Sequence, residues 1–133
     1  MRISNSEWRV MRILWSKPGL TSNQIFTIIS QNEEIEWEKT TVKTLLSRLV
    51  GKGVLRTEIQ GREYTYFPEL SEKQGISDSV IGFSERICAT RLSETIYDLI
   101  EQSTLSMDSI DSLEKLLKEK KKLAPLSIQC NCL

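Results

Sequence analysis

The residues from Thr40 to Gly53, T-T-V-K-T-L-L-S-R-L-V-G-K-G, fit one regular structure better than any other. Val42, Leu45, Leu46, Leu49 and Val50 recur at i, i+3, i+4, i+7 and i+8, the apolar stripe of a helix laid against a core. The other side carries Thr40, Thr41, Lys43, Thr44, Ser47 and Arg48, short hydroxyls beside two cations. No carboxylate occurs from Lys39 to Lys52, whereas a solvated helix face is ordinarily rich in both Glu and Lys. Small donors next to cations can approach base edges or phosphates without steric bulk. The plainer reading is an amphipathic helix with a Thr-rich exposed side, and the flanking residues weigh against it.

Upstream, Ser4-x-x-Glu7 has the form of a capping box, and Trp8, Met11, Leu14 and Trp15 then share one face until Pro18-Gly19 stops the helix. Thr21-x-x-Gln24 is a second box and opens a short helix with Ile25, Ile28 and Ile29 inward, ending near Gln31-Asn32. Downstream, Val54–Ile59 and Arg62–Phe67 read as strands joined through Gln60-Gly61, with Gly where a positive φ is needed. Three helices followed by a β-hairpin is the winged helix-turn-helix order. In that arrangement the third helix enters the major groove and the hairpin lies over the neighbouring backbone or minor groove. Arg62, near the hairpin tip, is then a candidate phosphate or minor-groove contact. Winged helices also serve as protein-interaction modules, so the order alone does not establish DNA binding.

Three blocks carry a family resemblance: I-S-x-x-E-W-x-V-M-R-I-L-W at Ile3–Trp15, W-x-K-T-T-V-K-T-L-L-S-R-L-V-x-K-G at Trp37–Gly53, and R-E-Y-x-Y-x-P at Arg62–Pro68. Together they resemble the BlaI/MecI/CopY repressors over roughly the first half of the chain. The pair Cys130-Asn-Cys132 is similar to the tail of the copper-responsive CopY branch. Many members of that branch carry two such pairs, and this chain has one. The resemblance implies a dimeric repressor that holds a short palindromic operator when loaded with Zn(II) and leaves it when Cu(I) displaces the zinc. It also implies that the C-terminal helices form the dimer. The BlaI/MecI alternative, an antibiotic-response repressor inactivated by cleavage at an Asn-Phe bond, meets no Asn-Phe in this sequence.

Charge agrees with an operator-binding half and a second half of another kind. The 133 residues sum to zero, but residues 1–68 hold ten Lys and Arg against seven Asp and Glu, and residues 69–133 hold eight against eleven. A half at +3 attracts phosphate weakly and in a salt-sensitive way, which favours two copies acting together on DNA. From about Glu72 to Gln102 the pattern is that of one long helix, with Ile76, Val80, Phe83, Ile87, Leu92, Ile96, Leu99 and Ile100 on its apolar side. A further helix begins near Ser106–Asp108, buries Ile110, Leu113, Leu116 and Leu117, and ends in Lys118, Lys120, Lys121 and Lys122. Glu119 interrupts that lysine run and no aromatic interleaves it, so it reads as a solvated helix end. Two apolar faces exceed what a completed headpiece core can cover, and a homodimer follows as the expectation.

The thiols supply the other chemistry. There are three Cys and no His, no secretory leader, and no apolar run near eighteen residues, which predicts a cytoplasmic chain with reduced cysteines and no membrane span. Cys88 falls on the apolar side of the predicted long helix and reads as a buried structural residue. Cys130 and Cys132 follow Pro125 in a tail with nothing obvious to pack against, and they are the metal candidates. Two thiolates can serve Cu(I), but a tetrahedral Zn(II) site wants four ligands, and the simplest set takes both cysteines from each of two subunits. No βαβ pattern, His or second pocket-forming domain accompanies the thiols, so neither an enzyme with catalytic residues nor a small-molecule substrate is expected. The whole reads as a mostly α chain with a small β-hairpin. Residues 1–70 form a winged helix-turn-helix, 71–123 a helical dimerisation region and 124–133 a flexible metal-binding tail.

Overall fold

The computed structural model describes residues 2–132 and divides into two units, Met1–Ile81 and Gly82–Leu133. The first contains α1 (Asn5–Ser16), α2 (Ser22–Ser30), α3 (Lys39–Gly51), β1 (Leu55–Gln60) and β2 (Glu63–Pro68). After them come α4 (Glu72–Glu85), a short 3-10 turn at Ala89–Arg91, α5 (Leu92–Gln102) and α6 (Met107–Leu123). The fold is therefore mostly helical with one antiparallel hairpin, and its first unit is a winged helix-turn-helix.

Both capping boxes form. Ser4 and Glu7 exchange backbone–side-chain hydrogen bonds at 2.9 and 3.2 Å, and Thr21 and Gln24 do the same at the start of α2. The core joins Val10, Met11 and Leu14 of α1, Ile25 and Ile29 of α2, and Val42, Leu45, Leu46 and Leu49 of α3, closed by Val54 and Leu55. Val10 lies deeper than the apolar spacing of α1 suggests, while Trp8 and Trp15 are only half-buried. Those two rings meet edge to face at 5.2 Å, and the Trp15 Nε1 donates to the Leu70 carbonyl at 2.8 Å.

The end of α3 is fixed by a Schellman motif. The Val54 N–H reaches the Leu49 carbonyl and the Gly53 N–H reaches that of Val50, with Gly53 at φ 76°. That left-handed step aims the chain directly into the hairpin. A second lock ties the same helix end to α1: Lys52 Nζ donates to Glu7 Oε1 at 2.6 Å and to the Arg2 carbonyl at 2.7 Å. Glu7 is 2% exposed, and its Oε2 has no hydrogen-bond partner among the described residues. Burial pushes this carboxyl up, but the Lys52 ammonium and the Ser4 donors outweigh it and hold it below its ordinary 4.5. A lowered carboxyl contributes stability above its unfolded value and loses that contribution as pH falls through the folded one. Glu7→Gln should therefore melt earlier than the wild type near pH ~7, with the gap narrowing near pH ~3. Thermal unfolding followed by circular dichroism at both pH values checks it, and a gap that widens in acid contradicts it.

β1 and β2 pair in a register that sets Leu55 opposite Pro68 and Gln60 opposite Glu63. The two-residue loop is thus Gly61-Arg62, one residue later than the sequence suggests. Gly61 sits at φ 67° and Arg62 at negative φ, the pattern of a type II′ turn. The segment after Pro18 adds a bridge, Leu20 to Tyr66.

The continuous helix expected over 72–102 is broken. Cys88 has φ −56° and ψ 136°, outside the helical region, and the 3-10 turn follows it directly. Weak helix formers surround the break, namely Gly82, Ile87 and Thr90. The apolar repeat keeps helical spacing on each side of the break but not across it: Leu92 follows Ile87 by five residues, which would turn the second set to roughly the opposite side of a continuous helix. Ile76, Val80, Phe83, Ile96, Leu99 and Ile100, assigned to buried faces, are each at least 40% exposed in the single chain. α6 starts where expected, with Ser106 Oγ accepting from the Ser109 N–H, and its apolar residues are also largely exposed. Among the described residues no helix is long and apolar enough to cross a membrane.

Candidate nucleic-acid interface and thiol cluster

α3 buries Val42, Leu45, Leu46 and Leu49 and leaves Thr40, Lys43, Thr44, Ser47 and Arg48 exposed. These five recur at i, i+3, i+4, i+7 and i+8 and so line one side of the helix. Thr41 differs from them in being half-buried. The Thr44 hydroxyl donates to the Thr40 carbonyl at 2.9 Å, which leaves its oxygen as an acceptor. No side chain caps the start of α3, and its first turn holds no acidic residue. Lys39 and Lys43 lie four residues apart on this side, with Glu38 at the N-cap beside the first of them.

The other cations divide by partner. Lys52 is held by Glu7, and Arg56 is held by Glu58 at 2.7 Å and Glu69 at 3.0 Å while stacking 4.6 Å from the Phe67 ring. Lys43, Arg48 and Arg62 form no salt bridge among the described residues. Arg62, exposed in the hairpin loop, is presented by the tight turn that Gly61 allows. Lys52 and Arg56 are thus paired, whereas the cations of α3 and the wing tip, like Arg9, Arg12 and Lys17, form no salt bridge among the described residues.

The second unit carries a different constellation. Cys88, Cys130 and Cys132 bring their three Sγ atoms within 4.8 Å of one another. Cys88 Sγ is 3.4 Å from Cys130 Sγ and 3.1 Å from the Thr90 hydroxyl. Asn131, between the two tail cysteines, accepts a hydrogen bond from the Ala89 N–H at 2.8 Å through its Oδ1. The tail therefore folds back on the helix break rather than leaving it. Contact with the Thr90 hydroxyl and with the tail thiols holds the Cys88 thiol down at about 6, below its ordinary 9.0. Cys132, facing the sulfurs of Cys130 and Cys88, is pushed up to about 11.

Cys88 is the residue that sequence reasoning placed differently. It reads as a core cysteine on a helix, yet it stands half-buried at the helix break, among the tail thiols. The signals in the sequence are the five-residue step from Ile87 to Leu92 in the apolar repeat and the weak helix formers near it.

The profile described as penicillinase repressor matches residues 3–119. An uncharacterized 16.5 kDa protein in the ptsI 3′ region of Latilactobacillus sakei is 36% identical over 131 residues, 98% of this chain and 88% of that protein. The penicillinase repressor of Bacillus licheniformis is 28% identical over 120 residues, 90% of this chain and 92% of that protein. Among solved structures, one described as the CopR repressor is 42% identical, covers 53% of this chain and 100% of that one, and has a TM-score of 0.45.

Proposed function

This chain belongs to the penicillinase repressor family, and on that premise we propose a homodimeric, copper-responsive transcriptional repressor of copper homeostasis genes, acting in the cytoplasm. The family is one of transcriptional repressors and not of enzymes. The observation that carries the proposal is the pairing, within one repressor chain, of an uncompensated hydroxyl-and-cation side on α3 with a cluster of three thiols. Lys43, Thr44, Ser47 and Arg48 read the major groove, with Thr40 and Thr41 at the helix start, and Arg62 holds the backbone or minor groove from the wing. Residues 1–70 serve as the DNA-binding headpiece, 71–123 as the dimerisation region and 124–133 as the metal-binding tail.

The donor set fits soft ions. Sulfur without imidazole favours Cu(I), which two or three thiolates satisfy, and accepts Zn(II) where a fourth ligand is available. Cys130 and Cys132 hold the metal, and exchange of zinc for copper changes the affinity for the operator. The penicillinase repressor relative favours a second reading, an antibiotic-response repressor controlled by proteolysis, in which the thiol cluster has no task.

Two experiments test this reading. Fluorescence anisotropy should show a palindromic duplex of the TACA-N2-TGTA type, the form that the resemblance to the CopY branch implies, bound at least ~10³-fold more tightly than a scrambled one. Equal affinity for both duplexes would assign the winged helix to protein recognition. Anaerobic Cu(I) titration against a competing chelator should show tight binding that Cys130→Ser/Cys132→Ser abolishes. Arg62→Ala should weaken binding uniformly across sequences and lower the salt slope by about one per contact. A selective loss at one base pair would instead make Arg62 a base reader.

A further inference from the structure

We propose that Cys88 completes a three-sulfur Cu(I) site closed within a single chain, with Asn131 positioning the tail that brings Cys130 and Cys132 to it. The inference rests on the metal-responsive reading and changes where the metal sits. In place of four sulfurs shared by two subunits, one chain supplies three, and the site lies at the junction between α4 and α5.

Geometry supports this. Thiolates about 2.3 Å from a metal stand roughly 4 Å apart in a trigonal arrangement. The three Sγ atoms here lie 3.4 Å apart at one pair and within 4.8 Å throughout, so small side-chain rotations suffice. They come from positions 42 residues apart in the chain, and a specific contact brings them together. The Ala89 N–H, the first of the 3-10 turn, donates to Asn131 Oδ1, and this sets the two tail cysteines beside the residue that precedes the turn. Cys-Asn-Cys is then a docking unit in which the middle residue attaches the tail and its neighbours present sulfur. Thr90 contacts the Cys88 sulfur from the protein side, an outer partner of the kind that orients a metal ligand. Three sulfurs satisfy Cu(I) and leave Zn(II) one ligand short, which a water, an anion or a donor from the second subunit would have to supply. Binding releases the thiol protons to solvent and leaves three metal–sulfur bonds, with no change of oxidation state.

The position also assigns a route for the signal. Cys88 belongs to the second unit, between two helices whose exposed apolar residues are the candidate dimer surface. Copper would act first on the α4–α5 junction.

The test counts protected thiols. Reduced full-length protein is loaded anaerobically with one equivalent of Cu(I) per chain and challenged with a thiol-alkylating reagent, followed by intact-mass analysis. All three cysteines should be protected, and copper X-ray absorption should show three sulfur neighbours. Cys88→Ser should leave a two-sulfur signature and weaken binding by at least ~10-fold, and Asn131→Ala should keep three sulfurs but weaken binding by about 10- to 100-fold. Wild-type protein with Cys88 alkylated while Cys130 and Cys132 stay protected would overturn the inference and leave the copper reading intact. Loss of protection at all three cysteines in the wild type would overturn both. Unchanged spectra and affinity in Cys88→Ser would likewise remove Cys88 from the site.

Discussion

Replacing Lys43 and Arg48 together by Ala should lower affinity for the palindromic duplex by a factor on the order of 100 or more. A contact from one side chain to a base edge or phosphate contributes about 1–3 kcal/mol, and the proposed dimer presents each residue twice. Both side chains are exposed and neither is held by a carboxylate among the described residues, so their removal costs the fold little. The melting temperature should stay within about 2 °C of the wild type, as for surface substitutions away from structural contacts. The single variants separate the roles. A base reader loses discrimination against scrambled duplex, whereas a phosphate contact weakens every sequence equally and lowers the salt slope by about one. Full affinity in the double variant, with folding intact by circular dichroism, would exclude α3 as the reading element.

The second large effect concerns assembly. Ile96→Glu/Ile100→Glu should convert the proposed dimer to a monomer and reduce operator affinity by about 10²–10⁴-fold, the avidity of two linked headpieces. Ile96 is 48% exposed and Ile100 40% exposed in the single chain, where α5 has no buried residue. An apolar pair left in water forgoes about 25 cal/mol for each Å² it could cover, and a second copy offers the matching face. Carboxylates placed there would have to be buried unpaired on association, which opposes dimer formation strongly. Because these positions lie outside the core of the first unit, the headpiece should melt unchanged. Sedimentation at micromolar concentration reads the outcome. A wild-type protein that is already monomeric there would refute the dimer, and with it the reason to expect a palindrome.

The winged helix was legible because its signals are local and redundant. Ser4-x-x-Glu7 and Thr21-x-x-Gln24 announce their own helix starts, and both boxes form. The stripe from Val42 to Leu49 specifies which side of α3 is inward, and the clearing of carboxylates from the other side follows from the same periodicity. Val50 and Thr41, at the edges of the two faces, are the positions where a helical wheel assigns too sharply, and both are half-buried. The pairing of buried Glu7 with Lys52 was not legible, since nothing local marks two charged residues 45 positions apart as partners. The break at Cys88 was hidden for a different reason: each half of the segment keeps its own helical apolar spacing, and only the five-residue step from Ile87 to Leu92 marks the change of side between them. Once the break is present, the cysteine no longer packs on a helix face, and its nearest chemistry becomes the tail thiols. Periodicity reports which side is apolar; it does not report which distant segment returns to a turn.

The most direct measurement is operator binding by one protein preparation in three metal states, apo, Zn(II)-loaded and Cu(I)-loaded, under anaerobic conditions at fixed ionic strength. The metal-responsive repressor account predicts tight binding in the zinc state and release on stoichiometric Cu(I), with a ratio of at least ~10-fold, within the usual range of allosteric coupling. Release should disappear in Cys130→Ser/Cys132→Ser, leaving a protein that holds the operator regardless of copper. Identical affinity in all three states, or copper-driven release that survives removal of the tail thiols, would contradict it.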